Sequence, residues 1–133
     1  MTKLKNKLEN YGAALKRLRE AITAYKNNSD NDLYRDALIQ RYEFSFELAW
    51  KTTAEFLYEQ GITDFATSPK AVFKAAYGGG FIDNEIVWLQ MIEARNSMSH
   101  TYDADASKQI ADDICYEYEK EMSALLKTMQ SNL

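Results

Sequence analysis

The 133-residue sequence is poor in the residues that break, staple or anchor a chain: one proline, one cysteine, one histidine and five glycines. So little Pro and Gly, beside 46 % apolar residues, excludes a disordered or low-complexity chain. The lone Cys115 cannot form an internal disulfide, which fits a reducing, cytoplasmic compartment. No run reaches the ~18 apolar residues of a membrane span, so no membrane association is expected. The basic start, Met1-Thr-Lys-Leu-Lys-Asn-Lys7, has no apolar stretch behind it and does not read as a secretory signal. A single His100 with Ser97 three residues before it excludes the paired Glu-x-x-His pattern of a di-iron carboxylate site, and no metal site is expected.

Net charge is −4, which argues against a general nucleic-acid coat protein. The charge is uneven: residues 1–26 carry seven Lys/Arg against two Glu, whereas residues 101–133 carry three against seven acidic residues. A basic first helix can meet phosphate or an acidic partner, or can simply pair with acidic neighbours in its own bundle.

What is abundant is helical periodicity. Leu4, Leu8, Tyr11, Leu15, Leu18, Ile22 and Tyr25 alternate steps of four and three, predicting a bundle helix that ends near Lys26 before the polar cluster Asn27–Asn31. A second helix is predicted from Asp32 to Glu59, stopped by Gly61. Its stripes are Leu38, Tyr42, Ser45, Ala49, Thr52, Phe56 and, separately, Phe46, Trp50, Leu57. Tyr42, Phe44 and Phe46 alternate like a strand, but the helix-forming flanks and uninterrupted length favour a helix.

Ser68-Pro69 reads as a helix start, and Gly78-Gly79-Gly80 as its stop; without a following Lys-Ser/Thr the glycines do not read as a phosphate loop. Asp83 is expected to cap the next helix, whose run Ile86–Ile92 is apolar nearly all round and is expected to be buried. A last helix is expected from near Asp105, carrying Ile110, Ile114, Tyr118, Met122, Leu125 and Met129 on one side. The expectation is a single all-α domain over residues 1–133, an antiparallel up-down four-helix bundle with one short additional helix.

Chemistry concentrates in Arg95-Asn-Ser-Met-Ser-His100-Thr-Tyr102. His100 is the natural proton-transfer group near neutral pH. The planar fork of Arg95 suits a phosphate or carboxylate, and Asn96, Ser97, Ser99, Thr101 and Tyr102 add hydrogen-bonding groups. On one straight helix Arg95 and His100 would point roughly 140° apart, so joint action needs a break in the helix, a reach across it, or two chains. A dimer cleft would bring together two Arg and two His. Equally, Arg95 can serve the helix C-terminus through the macrodipole and His100 can be a satisfied loop residue. Elsewhere, Glu47 and Lys51 are spaced for a helix ion pair, and Glu93 is expected to face Glu43 and Glu47. Cys115 has no cation near it in sequence and reads as a buried or half-buried thiol, and Met91, Met98, Met122 and Met129 as core filling.

These residues carry a resemblance. Arg95–Tyr102 resembles the Arg-x4-His-x-Tyr motif of the HEPN superfamily, including the polar residue after the Arg. Arg41-Tyr-Glu-Phe-Ser-Phe-Glu-Leu-Ala-Trp50-Lys51 resembles the signature of the branch known as nucleotidyltransferase substrate-binding proteins, related to the HepT toxins. The resemblance covers essentially the whole chain. It implies a helical bundle that forms a homodimer and works with a minimal nucleotidyltransferase encoded nearby. In the toxin version it implies a metal-independent RNase without a cofactor. Arg95 would hold the scissile phosphate, His100 would act as general acid/base on the RNA 2′-hydroxyl, and Asn96 would support the site. Tyr102 would accept the AMP that silences the enzyme. The family's older name implies instead a non-catalytic subunit that presents a substrate to the nucleotidyltransferase.

Overall fold

The computed structural model describes residues 2–98 and 103–133, and among them the regular structure is helical throughout. The helices are α1 (Thr2–Lys26), α2 (Asp32–Glu59), α3 (Pro69–Gly78), α4 (Glu85–Met98), α5 (Ala104–Asp113) and α6 (Glu119–Ser131). α5 and α6 are joined without a break by a π-helical turn, Ile114–Tyr118, so that they form one long helix. Four long helices and the short α3 match the expected bundle.

The helix ends follow local chemistry. Asn31 caps α2 by accepting from Leu33 N, and Ser68 caps α3 by accepting from Ala71 N, with Pro69 in the first turn. α2 closes in a Schellman motif: Gly61 adopts φ 83°, its N–H donates to the Tyr58 carbonyl, and Ile62 N–H donates to the Leu57 carbonyl. α3 closes in the same way around Gly80 at φ 80°, which explains one member of the triple glycine. The expected Asp83 cap is corrected: Asn84 Oδ1 accepts from Val87 N, one residue later.

Long-range hydrogen bonds fix the directions. Thr52 meets the Lys7 carbonyl, Ser45 that of Ala14, and Arg41 that of Arg17, so α1 and α2 are antiparallel. The last helix runs antiparallel to α1: Gly12 lies against Leu126, Arg19 pairs with Glu119 and Lys26 sits over the Tyr116 ring, while Tyr11 donates to the Met122 carbonyl at 2.6 Å. Tyr42 donates to the Met91 carbonyl at 2.7 Å, tying α2 to α4. The α1 seam is buried as the spacing predicted. Phe46, Phe73 and Trp88 form an aromatic cluster where α2, α3 and α4 meet, with Phe73 and Trp88 stacked at 4.3 Å.

Two expectations change, one about burial and one about a neighbouring charge. Within Ile86–Ile92, Val87, Trp88 and Met91 are buried and Leu89 and Ile92 half-buried, but Ile86 is 68 % exposed. α4 has packing partners on only part of its circumference, and Ile86 lies on the outward face with Gln90, Glu93 and Ser97. Cys115 is half-buried as expected, yet Lys26 of α1 is close enough to lower its thiol pKa; burial, reinforced by Asp112, wins and pushes it up. No helix among the described residues is long and apolar enough to cross a membrane.

Candidate functional site

The expected site begins where α4 ends. Arg95 lies in the last turn of α4, half-buried, and its Nη1 donates to Glu47 Oε2 of α2 at 2.6 Å. The guanidinium carbon sits 5.6 Å from the centre of the Phe46 ring, which itself packs against Phe73 and Trp88. The cation thus rests on an aromatic floor and is steered by a carboxylate. Glu47 also binds Lys51 Nζ at 3.3 Å, so the expected helix ion pair exists but is one half of a Lys51–Glu47–Arg95 chain. Glu43, one turn earlier, completes the surroundings: burial raises its carboxyl pKa, and Arg95 pulls it part of the way back.

Glu93 does not face Glu43 and Glu47 as expected. It lines a cavity against the last helix with Ser97, Ile110, Asp113, Glu117 and Tyr118. There the Tyr118 hydroxyl is pushed up to about 12 by burial, with Asp113, Glu117 and Glu93 adding repulsion. Three carboxylates around a phenol explain the direction, because each resists a phenolate.

Arg95 and Asn96 are therefore placed: Arg95 is held, and Asn96 is exposed on α4. His100 and Tyr102, with Ser99 and Thr101, lie outside the described residues. What borders their segment is well defined. On one side Arg95 ties the end of α4 to Glu47. On the other, Asp103 caps α5 by accepting from Asp105 N and Ala106 N. Ser107 of α5 then accepts from Arg35 Nε of α2 at 3.1 Å. Both flanks of the motif segment are thus bound to the same helix, α2.

Sequence reasoning missed two of these residues. Arg35 is almost fully buried, with Nη2 on Asp32 at 2.9 Å and Nη1 closed off from solvent without a hydrogen-bond partner among the described residues. It also stands beside Tyr25, whose hydroxyl pKa is raised by burial and by Asp112 and eased by the Arg35 charge. Its position on the helix wheel between Leu38 and polar neighbours gave no sign of that role. Glu47 reads in the sequence as the partner of Lys51 and as facing Glu93, not as the residue that holds Arg95, because Arg95 is 48 residues away. Among the described residues no group of three His, Cys, Asp or Glu is arranged to hold a metal ion.

Comparison with known proteins identifies the fold and the family. Three solved structures share the fold. A Thermus thermophilus protein is 27 % identical, with TM-score 0.71, covering 85 % of this chain and 98 % of its own. A Haemophilus influenzae protein, described as the substrate binding domain of a nucleotidyltransferase, is 24 % identical with TM-score 0.80, covering 92 % and 98 %. A tri-AMPylated HEPN toxin of Shewanella oneidensis, solved in complex with an MNT antitoxin, is 13 % identical with TM-score 0.78 and 96 % of both chains covered. No curated protein matches the sequence. The family described as "nucleotidyltransferase substrate binding protein like" matches residues 6–131, nearly the whole chain, and the protein belongs to it.

Proposed function

We propose that this chain is the partner subunit of a minimal nucleotidyltransferase and acts as a metal-independent endoribonuclease, silenced by AMP transfer to Tyr102. The observation that carries the reading is Arg95, held on Glu47 and over Phe46 two turns or less from His100 and Tyr102 in sequence. A cation fixed before substrate arrives stabilises developing phosphate charge without reorganisation. Family membership and the fold shared with an AMPylated toxin support the same reading.

In this scheme His100 takes the proton of an RNA 2′-hydroxyl, and the 2′-oxygen attacks the adjacent phosphorus while Arg95 neutralises the non-bridging oxygens. The bond to the 5′-oxygen breaks, and that oxygen takes a proton from the His100 imidazolium of a second copy. The products are a cyclic phosphate and a 5′-hydroxyl. One histidine per chain makes a homodimer the natural way to supply both acid and base. AMP on Tyr102, two residues from His100, blocks the cleft with a charged group.

The family's description favours a second reading, in which the same cleft holds a substrate for the nucleotidyltransferase and the chain cleaves nothing. Co-expression with a nucleotidyltransferase encoded nearby, followed by intact mass measurement, separates the two. Silencing predicts whole AMP units on the wild-type chain that are lost in Tyr102→Phe, together with recovered RNA cleavage. An unmodified chain that leaves RNA intact with and without the partner supports the second reading instead.

A further inference from the structure

The segment Arg41–Lys51 is only partly used by the fold and by Arg95. Tyr42, Phe46 and Ala49 fill the core, and Glu43 and Glu47 surround the Arg95 guanidinium. Arg41 and Phe44 serve neither purpose. Phe44 is 58 % exposed. Arg41 leans over α1, its Nη1 donating to the Arg17 carbonyl at 2.8 Å and lying 3.8 Å from Glu20. With Arg17, Gln40, Ala14 and Ala37 they line a groove of about 320 Å³ between α1 and α2.

The chemistry of this groove is specific. An exposed aromatic ring gives a face on which a base can stack, and two guanidiniums give phosphate contacts; together they are the elements of single-strand recognition. The Arg41 bond to the α1 backbone holds that guanidinium in place before any ligand arrives. α1 supplies the one region of positive balance in an acidic chain, seven Lys/Arg against two Glu over residues 1–26. Glu20 offsets part of the Arg41 charge, which leaves Arg17 as the stronger phosphate contact. The groove also leads to the proposed site. Phe44 and Glu47 are neighbours one turn apart on α2, and Glu47 holds Arg95.

We propose that this groove binds a single-stranded segment of RNA, with a base on Phe44 and flanking phosphates at Arg17 and Arg41, and feeds the strand towards Arg95. The inference rests on the endoribonuclease reading but is tested by binding, separately from cleavage.

The test uses fluorescence anisotropy of a labelled single-stranded RNA oligonucleotide with full-length His100→Ala protein, without divalent metal, over a range of low salt concentrations. Phe44→Ala is expected to weaken binding about tenfold, and Phe44→Trp to keep it. Arg17→Ala is expected to weaken binding and to reduce the slope of log affinity against log salt by about 0.7, one phosphate contact. Phe44 and Arg17 are both exposed, and matching thermal melts and sedimentation profiles confirm that the variants fold and associate as the parent does. Affinity unchanged in both variants overturns the proposal, as does the absence of RNA binding by the parent. A shift in oligomeric state in Phe44→Ala also overturns it, because the face is then a protein interface. RNA that binds through the groove but is never cleaved by the wild type removes the nuclease reading and leaves the groove. Cleavage that is indifferent to Phe44 and Arg17 does the reverse.

Discussion

At the scale of single residues the important one is Glu47. It does not touch RNA in the proposed scheme; it aims the residue that does. Glu47→Ala removes a half-exposed ion pair, so its stability cost is modest, about 1 kcal/mol or less. Its effect on RNA cleavage is expected to be larger, at least tenfold, because a misplaced guanidinium loses much of its transition-state contact. Glu47→Gln keeps a carbonyl acceptor and should fall between the two. Equal cleavage by all three, measured on a labelled RNA, contradicts the role. Glu43 gives a pH test. Its folded pKa is raised from the ordinary 4.5, chiefly by burial and despite Arg95, so the folded state holds the proton more tightly than the unfolded chain. The stability this contributes is present below the ordinary value and is lost as pH rises through the folded value. Glu43→Gln removes the cost of burying the ionised form. The melting temperature of the variant relative to wild type should therefore rise from about pH 4 to about pH 7. A difference that does not change with pH contradicts this.

At the scale of elements the last helix is the informative one. Ile110, Ile114, Tyr118 and Met122 follow one another in three steps of four, and on a regular α-helix each step drifts about 40° ahead of the last. The π-helical turn at Ile114–Tyr118 takes up that drift, which keeps all four side chains buried. It behaves as one extra residue in an otherwise continuous helix. Deleting Tyr116, an exposed residue in that turn, should convert it to α-helix with a stability change within about 1 kcal/mol. Deleting Ala124, in regular helix, should turn Leu125 and Met129 out of the core and cost several kcal/mol. Urea unfolding of the two deletions measures the difference, and similar losses in both contradict the interpretation.

The same helix shows what a sequence reveals and what it hides. The α1 seam and the ends of α2 were legible because they depend on local periodicity, caps and one glycine in left-handed conformation. The π-helical turn was present as a run of fours, but such a run looks like an ordinary apolar stripe until the drift is added up. The exposure of Ile86, the turning of Glu93 away from Glu43, and the approach of Lys26 to Cys115 were illegible, since each depends on which neighbour lies across a helix. The candidate site divides in the same way. The motif from Arg95 to Tyr102 stands out as a string of residues, whereas its support from Glu47, Phe46 and Arg35 comes from a helix about 50 residues earlier.

At the scale of the whole molecule, α2 is the organising element. It meets α1 along its length, contributes Phe46 to the aromatic cluster, and binds both flanks of the motif segment through Glu47 and Arg35. Arg35→Met should keep much of the apolar packing while releasing Ser107 and Asp32, at a cost of about 1–3 kcal/mol. Because the lost contacts anchor the start of α5, hydrogen exchange should quicken there more than in α1; a uniform change contradicts the anchoring role. The proposed chemistry also needs a second copy of the chain, since one histidine cannot be base and acid in the same step. The most direct test is cleavage of a labelled single-stranded RNA by purified protein in the presence of a metal chelator. Wild type should produce fragments ending in a cyclic phosphate, Arg95→Ala and His100→Ala should each be inactive, and mixing the two variants should restore no cleavage, because a mixed pair carries only one histidine. Intact RNA with the folded wild-type protein, or cleavage that survives both substitutions, contradicts the endoribonuclease reading.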